Sequence, residues 1–460
     1  MPPQIALLLC IFFILCLFIL DFKGKSNVSS ALWVPLIWML IIGSRFVSQW
    51  LNPAGPLESP EVGDLLEGSP LDRNIFLVLI IAGLFILSRR KISWPQILNC
   101  NVWIFLLFLY GGISIVWSDF PFVSFKRWIK SIGILVMVLV VFSESDPVNA
   151  VKTVLRRCAY VLVPLSVVFI KYYPDLGRSY SRWTGEAYYH GVATTKNGLG
   201  FLCLFSGIYF FWDLLAMWRK RNTHFDKQKV FIHIVFLIMV LWLLRMADSA
   251  TSTMCFITGV FILVWTELPI MKRNVKAIGG LVLFYALVFL ILILLSDVEV
   301  LVSSMGRDMT LTGRLDLWNQ LIDIEINPLV GTGYESFWLG ARAEEFWARY
   351  WWRPNQSHNG YLETYLNLGW IGTLLLVVVI ISAYQKSTRT FLLDYDYGKF
   401  RLTFLVMVLF YNVTEAAFHG VHLMRFFFIL VAMDFPRLGQ LRIQGSIQER
   451  RSPEIQSIEV

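Results

Sequence analysis

Long, predominantly apolar blocks such as Ile5 to Leu20, Val102 to Trp117, Phe231 to Leu244 and Leu281 to Leu295 leave this chain few ways to fold. Each approaches the ~20 residues that carry an α-helix across a bilayer. Within hydrocarbon, only a helix or a closed barrel satisfies its own backbone, and runs this continuously apolar lack the alternation of a barrel strand. The apolar share of 57%, against 16% charged residues, is beyond what a soluble core absorbs, about 45–50%. Blocks near 4–20, 31–51, 74–88, 102–117, 128–142, 158–172, 198–217, 230–247, 250–268, 277–295, 361–382, 401–416 and 421–435 predict an all-α polytopic membrane protein with about 12–13 spans. No basic residue precedes the first block and no small-x-small cleavage site closes it, so it reads as a retained helix.

The formal charge of +8 is spread in short clusters between spans rather than gathered on one face, which speaks against nucleic acid as a partner and for a lipid bilayer. Those clusters, among them Arg89/Arg90/Lys91, Lys152/Arg156/Arg157 and Lys386/Arg389, mark cytoplasmic connections. The other connections then face outward, at 52–73, 118–127, 173–197, 296–360 and 416–421. Four regions follow: helices over 1–295, a large outer loop over 296–360, helices over 361–438, and a flexible cytoplasmic tail over 439–460. The outer loop is rich in Trp, Tyr, Phe and Gly, a composition for folding onto the membrane as a cap rather than for disorder. Within it Thr312 caps a helix through Arg314, Leu317, Trp318, Leu321 and Ile322, which Asn327-Pro328 and Gly331-Thr332-Gly333 bring to an end. A second helix runs from Ala341 to Trp352, and its Trp347, Trp351 and Trp352 read as interfacial anchors.

His358 stands where the long loop re-enters the membrane, within Asn355-Gln356-Ser357-His358-Asn359-Gly360-Tyr361. Helical spacing puts it on one face with Tyr361, Leu362 and Tyr365. A neutral imidazole at such a lip can take a proton from a hydroxyl; equally, it can be a helix-start residue bonded to backbone or water. Arginines outside the membrane call for a reason, and Arg178, Arg182, Arg307 and Arg314 find one in phosphate, which a guanidinium grips in two places. Arg342, Arg349 and Arg353 read instead as partners of nearby acids. Asp394-Tyr395-Asp396 looks like a metal motif but falls in a cytoplasmic connection beside Lys399 and Arg401. Glu415, His419 and His422 lack ligand spacing for a metal. The six cysteines lie in or beside apolar blocks, where no disulfide is expected.

Taken in order, Thr312-Gly313-Arg314-Leu315-Asp316-Leu317-Trp318, Asn327-Pro328-Leu329-Val330-Gly331-Thr332-Gly333-Tyr334, Ser357-His358-Asn359-Gly360-Tyr361-Leu362-Glu363 and Leu368-Gly369-Trp370-Ile371-Gly372 resemble the O-antigen ligase and polymerase superfamily. Upstream, Arg182-Trp183-Thr184-Gly185 and Lys196-Asn197-Gly198-Leu199-Gly200 resemble its preceding outer-loop motif. Trp117-Ser118-Asp119-Phe120-Pro121 with Lys126-Arg127 is similar to the exopolysaccharide polymerase branch. The resemblance implies a metal-independent, inverting glycosyltransferase of the bacterial inner membrane, with its active site on the periplasmic side and no cofactor. Its donor would be an undecaprenyl-pyrophosphate-linked oligosaccharide and its acceptor a glycan. A chain-length regulator is a partner such a polymerase works with. By the same resemblance His358 is the catalytic residue, and Arg182 and Arg314 hold the pyrophosphate. Asp316, Glu363, Asn197 and Arg178 are candidate supporting residues. A carboxylate at Glu363 would fix the imidazole tautomer. Where the family often carries His-Pro, this chain has Thr195-Lys196, which leaves the part of Asn197 open. Two other readings compete: a ligase that moves finished glycan onto lipid A core or protein, and a transporter or flippase, which would call for ionisable residues deep in its spans.

Overall fold

The computed structural model describes residues 1–23, 28–52, 68–180, 185–219, 226–269, 271, 280, 312–350 and 352–435. The chain is a bundle of helices, with one short antiparallel hairpin among the described residues, Arg178–Tyr180 against Ala187–Tyr189. The expected blocks fall on helices except 277–295, of which only residue 280 is among the described residues. Among the described residues, six helices are long and apolar enough to cross a membrane: Pro3–Lys23, Pro70–Arg89, Pro147–Tyr172, Lys196–Arg219, Lys227–Ala247 and Gly360–Leu393. A seventh span results if Trp94–Cys100 and Val102–Trp117, bent by 88°, count as one.

Apart from block 277–295 and the 16-residue helix Ala250–Trp265, the difference from a count of 12–13 has two physical sources. Pro121–Phe142 carries Lys126, Arg127 and Lys130, and Tyr395–Thr414 carries Asp396, Lys399 and Arg401, so neither is apolar throughout. Trp33–Ile42 and Leu423–Ala432 have 10 residues each. At ~1.5 Å per residue they rise about 15 Å, half of a ~30 Å hydrocarbon layer. Irregular backbone at such depth is tolerated where it lines a cavity. Gly43 to Phe46, after the first short helix, and Glu415 to His422, before the second, do wall one.

Lipid contact and core packing divide the helices. Pro3–Lys23 leaves Leu8 65% and Phe12 66% exposed, as a bilayer-facing helix does. Lys196–Arg219 and Tyr395–Thr414 pack inside, and the latter buries Lys399 and Arg401 completely. Both cations are matched: Lys399 by Glu267 and Asp396, and Arg401 by Asp434 and by the carbonyls of Val431 and Met433.

The Gly360–Leu393 helix is broken at Gly369, whose φ of 62° and ψ of −166° belong to a region that essentially only glycine occupies. The backbone groups freed by the break are taken up by the segment Pro328 to Gly333. Trp370 N–H donates to the Pro328 carbonyl at 2.8 Å and Ile371 N–H to that of Leu329 at 3.1 Å, while Thr332 and Gly333 N–H donate to the carbonyls of Leu366 and Asn367 at 3.1 and 2.9 Å. A Cβ on Gly369 would stand 2.3 Å from the Leu329 carbonyl carbon, and one on Gly331 2.6 Å from that of Asn367. Gly331-Thr332-Gly333 is therefore a brace against a membrane helix, not the end of the helix before it, which closes earlier, at Ile322.

The Thr312–Ile322 and Gly340–Arg349 helices share an apolar cluster of Leu317, Leu321, Phe337, Trp338, Phe346 and Leu366. Trp347 and Trp352 pack against this cluster, and the Trp347 indole N–H donates to the Pro354 carbonyl at 2.8 Å. These two half-buried tryptophans help build the interior of the cap, a task that the expected anchoring at a bilayer interface did not include. Trp351 lies outside the described residues.

Candidate active site

His358 does not begin the helix that follows it. Asn359 caps Gly360–Leu393 by accepting from the N–H groups of Tyr361 and Leu362 at 3.0 and 3.1 Å. His358 precedes that cap with φ of 52°, a left-handed conformation that costs a non-glycine residue ~1–3 kcal/mol and persists only where the surroundings impose it. The surroundings are visible. Ser357 is fully buried, its N–H donates to Glu363 Oε2 at 2.7 Å, and its carbonyl accepts from the Trp318 indole at 2.7 Å. Glu363 also accepts from the Trp338 indole at 3.0 Å and the Asn367 amide at 3.1 Å. The carboxylate of Glu363 thus ties the loop to the cap and has no described bond to the imidazole, contrary to expectation. One turn into the helix, it reaches back to the residue before His358.

The carboxylate that meets His358 belongs to Glu415, just beyond the Tyr395–Thr414 helix. Its Oε2 lies 3.4 Å from His358 Nδ1. Its Oε1 accepts from the Asn197 amide at 2.7 Å and from Arg314 Nη2 at 3.2 Å. Arg314 is set by a second bond, from Nη1 to the Thr414 carbonyl at 2.6 Å, and its helix is pinned to the His358 loop by Trp318. The turn that presents Glu415 is fixed by Asn412, whose Oδ1 accepts from Ala417 N–H at 2.9 Å. A carboxylate can only accept, so the bond places the proton of His358 on Nδ1 and leaves the Nε2 lone pair available.

Of the expected site residues, the fold brings together His358, Arg314 and Asn197. Arg178 is engaged elsewhere: its Nε donates to the Ile170 carbonyl at 2.8 Å and its guanidinium lies over Tyr189. Asp316 is exposed on its helix, and Arg182 lies outside the described residues. Arg349 pairs with Glu345, and Arg342 pairs with Asp119 at 3.0 Å. Asp394 caps the helix after it, and Asp396 pairs with Arg219 and Lys399. Glu415, weighed in the sequence only as a candidate metal ligand, is the residue on which the site converges. Its neighbours are committed too: His422 Nδ1 accepts from Met424 N–H at 3.0 Å, and His419 Nε2 meets Thr364 Oγ1 at 2.9 Å. Among the described residues no three His, Cys, Asp or Glu side chains gather as a metal-ligand set.

A cavity of about 330 Å³ opens beside the imidazole, walled by Ser44, Thr195, Asn197, His358, Glu415 and His422. Next to it lies a second of about 300 Å³, and Gln356, Ala416, Val421 and His422 line both. Residues 233–377 match the family model described as O-Antigen ligase. This segment is similar to an O-antigen ligase domain. The matched segment contains Arg314, His358 and Glu363, while Asn197, on Lys196–Arg219, and Glu415, just past Tyr395–Thr414, lie outside it. The chain is also 26% identical over 302 residues to the exopolysaccharide production protein ExoQ of Rhizobium meliloti (strain 1021), an alignment covering 63% of this chain and 66% of the relative. The apolar helices, together with this similarity, make this a multi-pass membrane protein.

Proposed function

We propose that the protein is a glycosyltransferase of the bacterial inner membrane that joins repeat units of an exported polysaccharide on their undecaprenyl-pyrophosphate carrier. The observation that carries this reading is the convergence of His358 and Arg314 on the buried carboxylate of Glu415. A base held by a carboxylate, beside a fixed guanidinium, suits a reaction that removes a proton from one group while negative charge grows on another.

In that reaction His358 Nε2 takes the proton of an acceptor hydroxyl, whose oxygen forms the new bond to the anomeric carbon of the donor. The bond from that carbon to the phosphate oxygen breaks, and undecaprenyl pyrophosphate leaves with the electron pair. Attack and departure on opposite faces invert the centre. Glu415 holds the imidazole and balances the charge it gains, as the orienting acid of a triad does. Arg314 spends one N–H on Thr414 and one on Glu415, so three of the five donors of a guanidinium remain for phosphate oxygens. We assign the same task to Arg182. No step calls for a metal or cofactor. The active site faces the periplasm in this scheme, and a chain-length regulator is a fitting partner.

The name of the similar Rhizobium protein supports a polysaccharide product. The deciding experiment deletes the chromosomal copy and restores either the wild-type protein or His358→Ala. Single repeat units left on the lipid carrier in the variant support polymerisation, whereas long glycans stranded there assign a ligase. A lipid-linked pool identical to that of the wild type overturns both.

A further inference from the structure

Beyond the His358 cavity, we propose that the neighbouring cavity of about 300 Å³, walled by Arg127, Trp338, Asn355, Gln356 and His419, is the subsite that receives the sugar of the acceptor glycan. This assignment rests on the glycosyl-transfer reading above, and it divides the two substrates between two adjoining spaces.

The walls carry hydrogen-bonding groups that the fold leaves unused. Among the described residues, the His419 Nδ1 is shut off from solvent and has no partner. Its identity as an acceptor follows from its neighbour. The Thr364 hydroxyl donates its own hydrogen to the Gly360 carbonyl at 2.7 Å, so toward His419 it accepts, from Nε2 at 2.9 Å. The proton of His419 is then on Nε2, and Nδ1 is a bare lone pair. Burial pushes the His419 pKa down to about 4, so that lone pair stays unprotonated near neutral pH. A buried acceptor without a donor is costly, and such groups in native proteins call for a specific explanation. A ligand hydroxyl entering the cavity that His419 lines supplies one, after a small shift that opens Nδ1 to it. Asn355 and Gln356 add two side-chain amides with no described hydrogen bond, each able to donate and accept.

The charged walls suit a polyol. Glu335 and Glu363 line the space together with Arg127, so hydroxyls meet both acceptors and a donor, and the two carboxylates outnumber the one guanidinium that could draw a phosphate. Trp338 adds an indole, an amphipathic surface suited to the apolar face of a pyranose ring. The volume lies at the lower end of ligand sites, about 300–1,000 Å³, a size for a terminal sugar rather than for a lipid-linked oligosaccharide.

The passage toward the base is also built. Gln356, Ala416, Val421 and His422 line both cavities, so a hydroxyl projecting past them enters the space where His358 stands. His422 accepts at Nδ1 from Met424 N–H, which leaves its Nε2 proton to donate at that junction.

The test uses the full-length protein in nanodiscs, the lipid-linked pool of the producing cells as donor, and the oligosaccharide released from that pool by mild acid as acceptor. Asn355→Ala removes an amide that bonds nothing described, and Asn355→Trp fills the entrance. His419→Phe deletes the lone pair together with the Nε2 bond to Thr364. Each should raise the acceptor KM about 5- to 30-fold, the range expected for one or two lost hydrogen bonds, while the donor KM holds in all three and the thermal midpoint holds in the two Asn355 variants. Saturation-transfer NMR with the released oligosaccharide reads the same site without turnover. Its signal should survive His358→Ala and fall in Asn355→Trp. An unchanged acceptor KM in both Asn355 variants, or a rise confined to the donor KM, overturns the subsite and leaves the transfer reading standing. Wild-type protein that releases no undecaprenyl pyrophosphate from this mixture overturns the transfer reading itself, and with it the assignment of the cavity.

Discussion

Replacing Glu415 by Gln tests the core of the proposed chemistry with the smallest change of shape. The carboxylate receives three side chains: Asn197 at 2.7 Å, Arg314 at 3.2 Å and His358 at 3.4 Å. A glutamine keeps one oxygen, which Asn197 and Arg314 can hold. Its amide N–H₂ then faces His358 Nδ1, which must accept instead of donate. The ring proton moves to Nε2, and the lone pair that should take the acceptor proton is gone. Loss of a charge-assisted bond alone is worth ~1.5–3 kcal/mol, and loss of a general base costs roughly 10²–10⁴ in rate. Because the tautomer itself changes, the expected fall in kcat for Glu415→Gln is about 10²–10⁴, close to that of His358→Ala. Residues that act as one unit are not additive, so the double variant should be within about 3-fold of His358→Ala. The assay is release of undecaprenyl pyrophosphate by protein in nanodiscs at saturating acceptor. Retention of more than a third of the wild-type rate by Glu415→Gln, or a double variant whose loss is the product of the single ones, would refute the coupling of imidazole and carboxylate.

Arg314→Lys keeps the charge but reaches only one of the two present partners and loses the planar grip. It should cost about 2–3 kcal/mol in kcat/KM, as should Arg182→Lys, with His358→Ala leaving donor binding largely intact. Activity should persist in excess chelator, and complete loss restored by Mg²⁺ or Mn²⁺ would displace the arginine clamp. Gly369→Ala combines a backbone conformation closed to alanine with a Cβ 2.3 Å from Leu329, and should destabilise by about 3 kcal/mol or more. Gly185→Ala, where φ is also positive but no atom lies within 4 Å, should cost about 1–2 kcal/mol; equal shifts in thermal midpoint would deny the brace. In a background freed of the exposed Cys100, cysteines at Glu345 and Arg389 should react oppositely with a membrane-impermeant thiol reagent in intact cells. Equal labelling would reject the topology.

The sequence reads well where one local pattern carries the information. Apolar blocks marked the helices, and the motifs around Arg314 and His358 identified two residues that the fold brings to one carboxylate. Glu415 escaped notice because its partnership spans 57 residues from His358 and 218 from Asn197, and nothing beside a span end signals a distant contact. Glu363 was placed beside the imidazole by nearness in sequence, yet a helix presents side chains back toward its N-terminus, here to Ser357. Trp347 and Trp352 carried an ambiguous signal, since aromatic residues near a bilayer serve equally at its interface or in a small interior. The brace at Gly369 was hidden for a different reason: its bonds are between main-chain atoms, and the glycines that permit them look in sequence like ordinary helix stops.

The main-chain character of that brace has a consequence for how the protein can vary and move. Four N–H to carbonyl bonds join Pro328–Gly333 to the residues flanking Gly369, and none reads the identity of a side chain. Drift at Leu329 or Val330 is therefore inexpensive, while the glycines are constrained by backbone contact. The same four bonds, at a net ~0.5–1.5 kcal/mol each, would have to open together for the cap to swing away from its helix. At this corner the outer layer and the membrane bundle behave as a single rigid piece, so any opening that admits substrate must take its freedom from another edge of the cap.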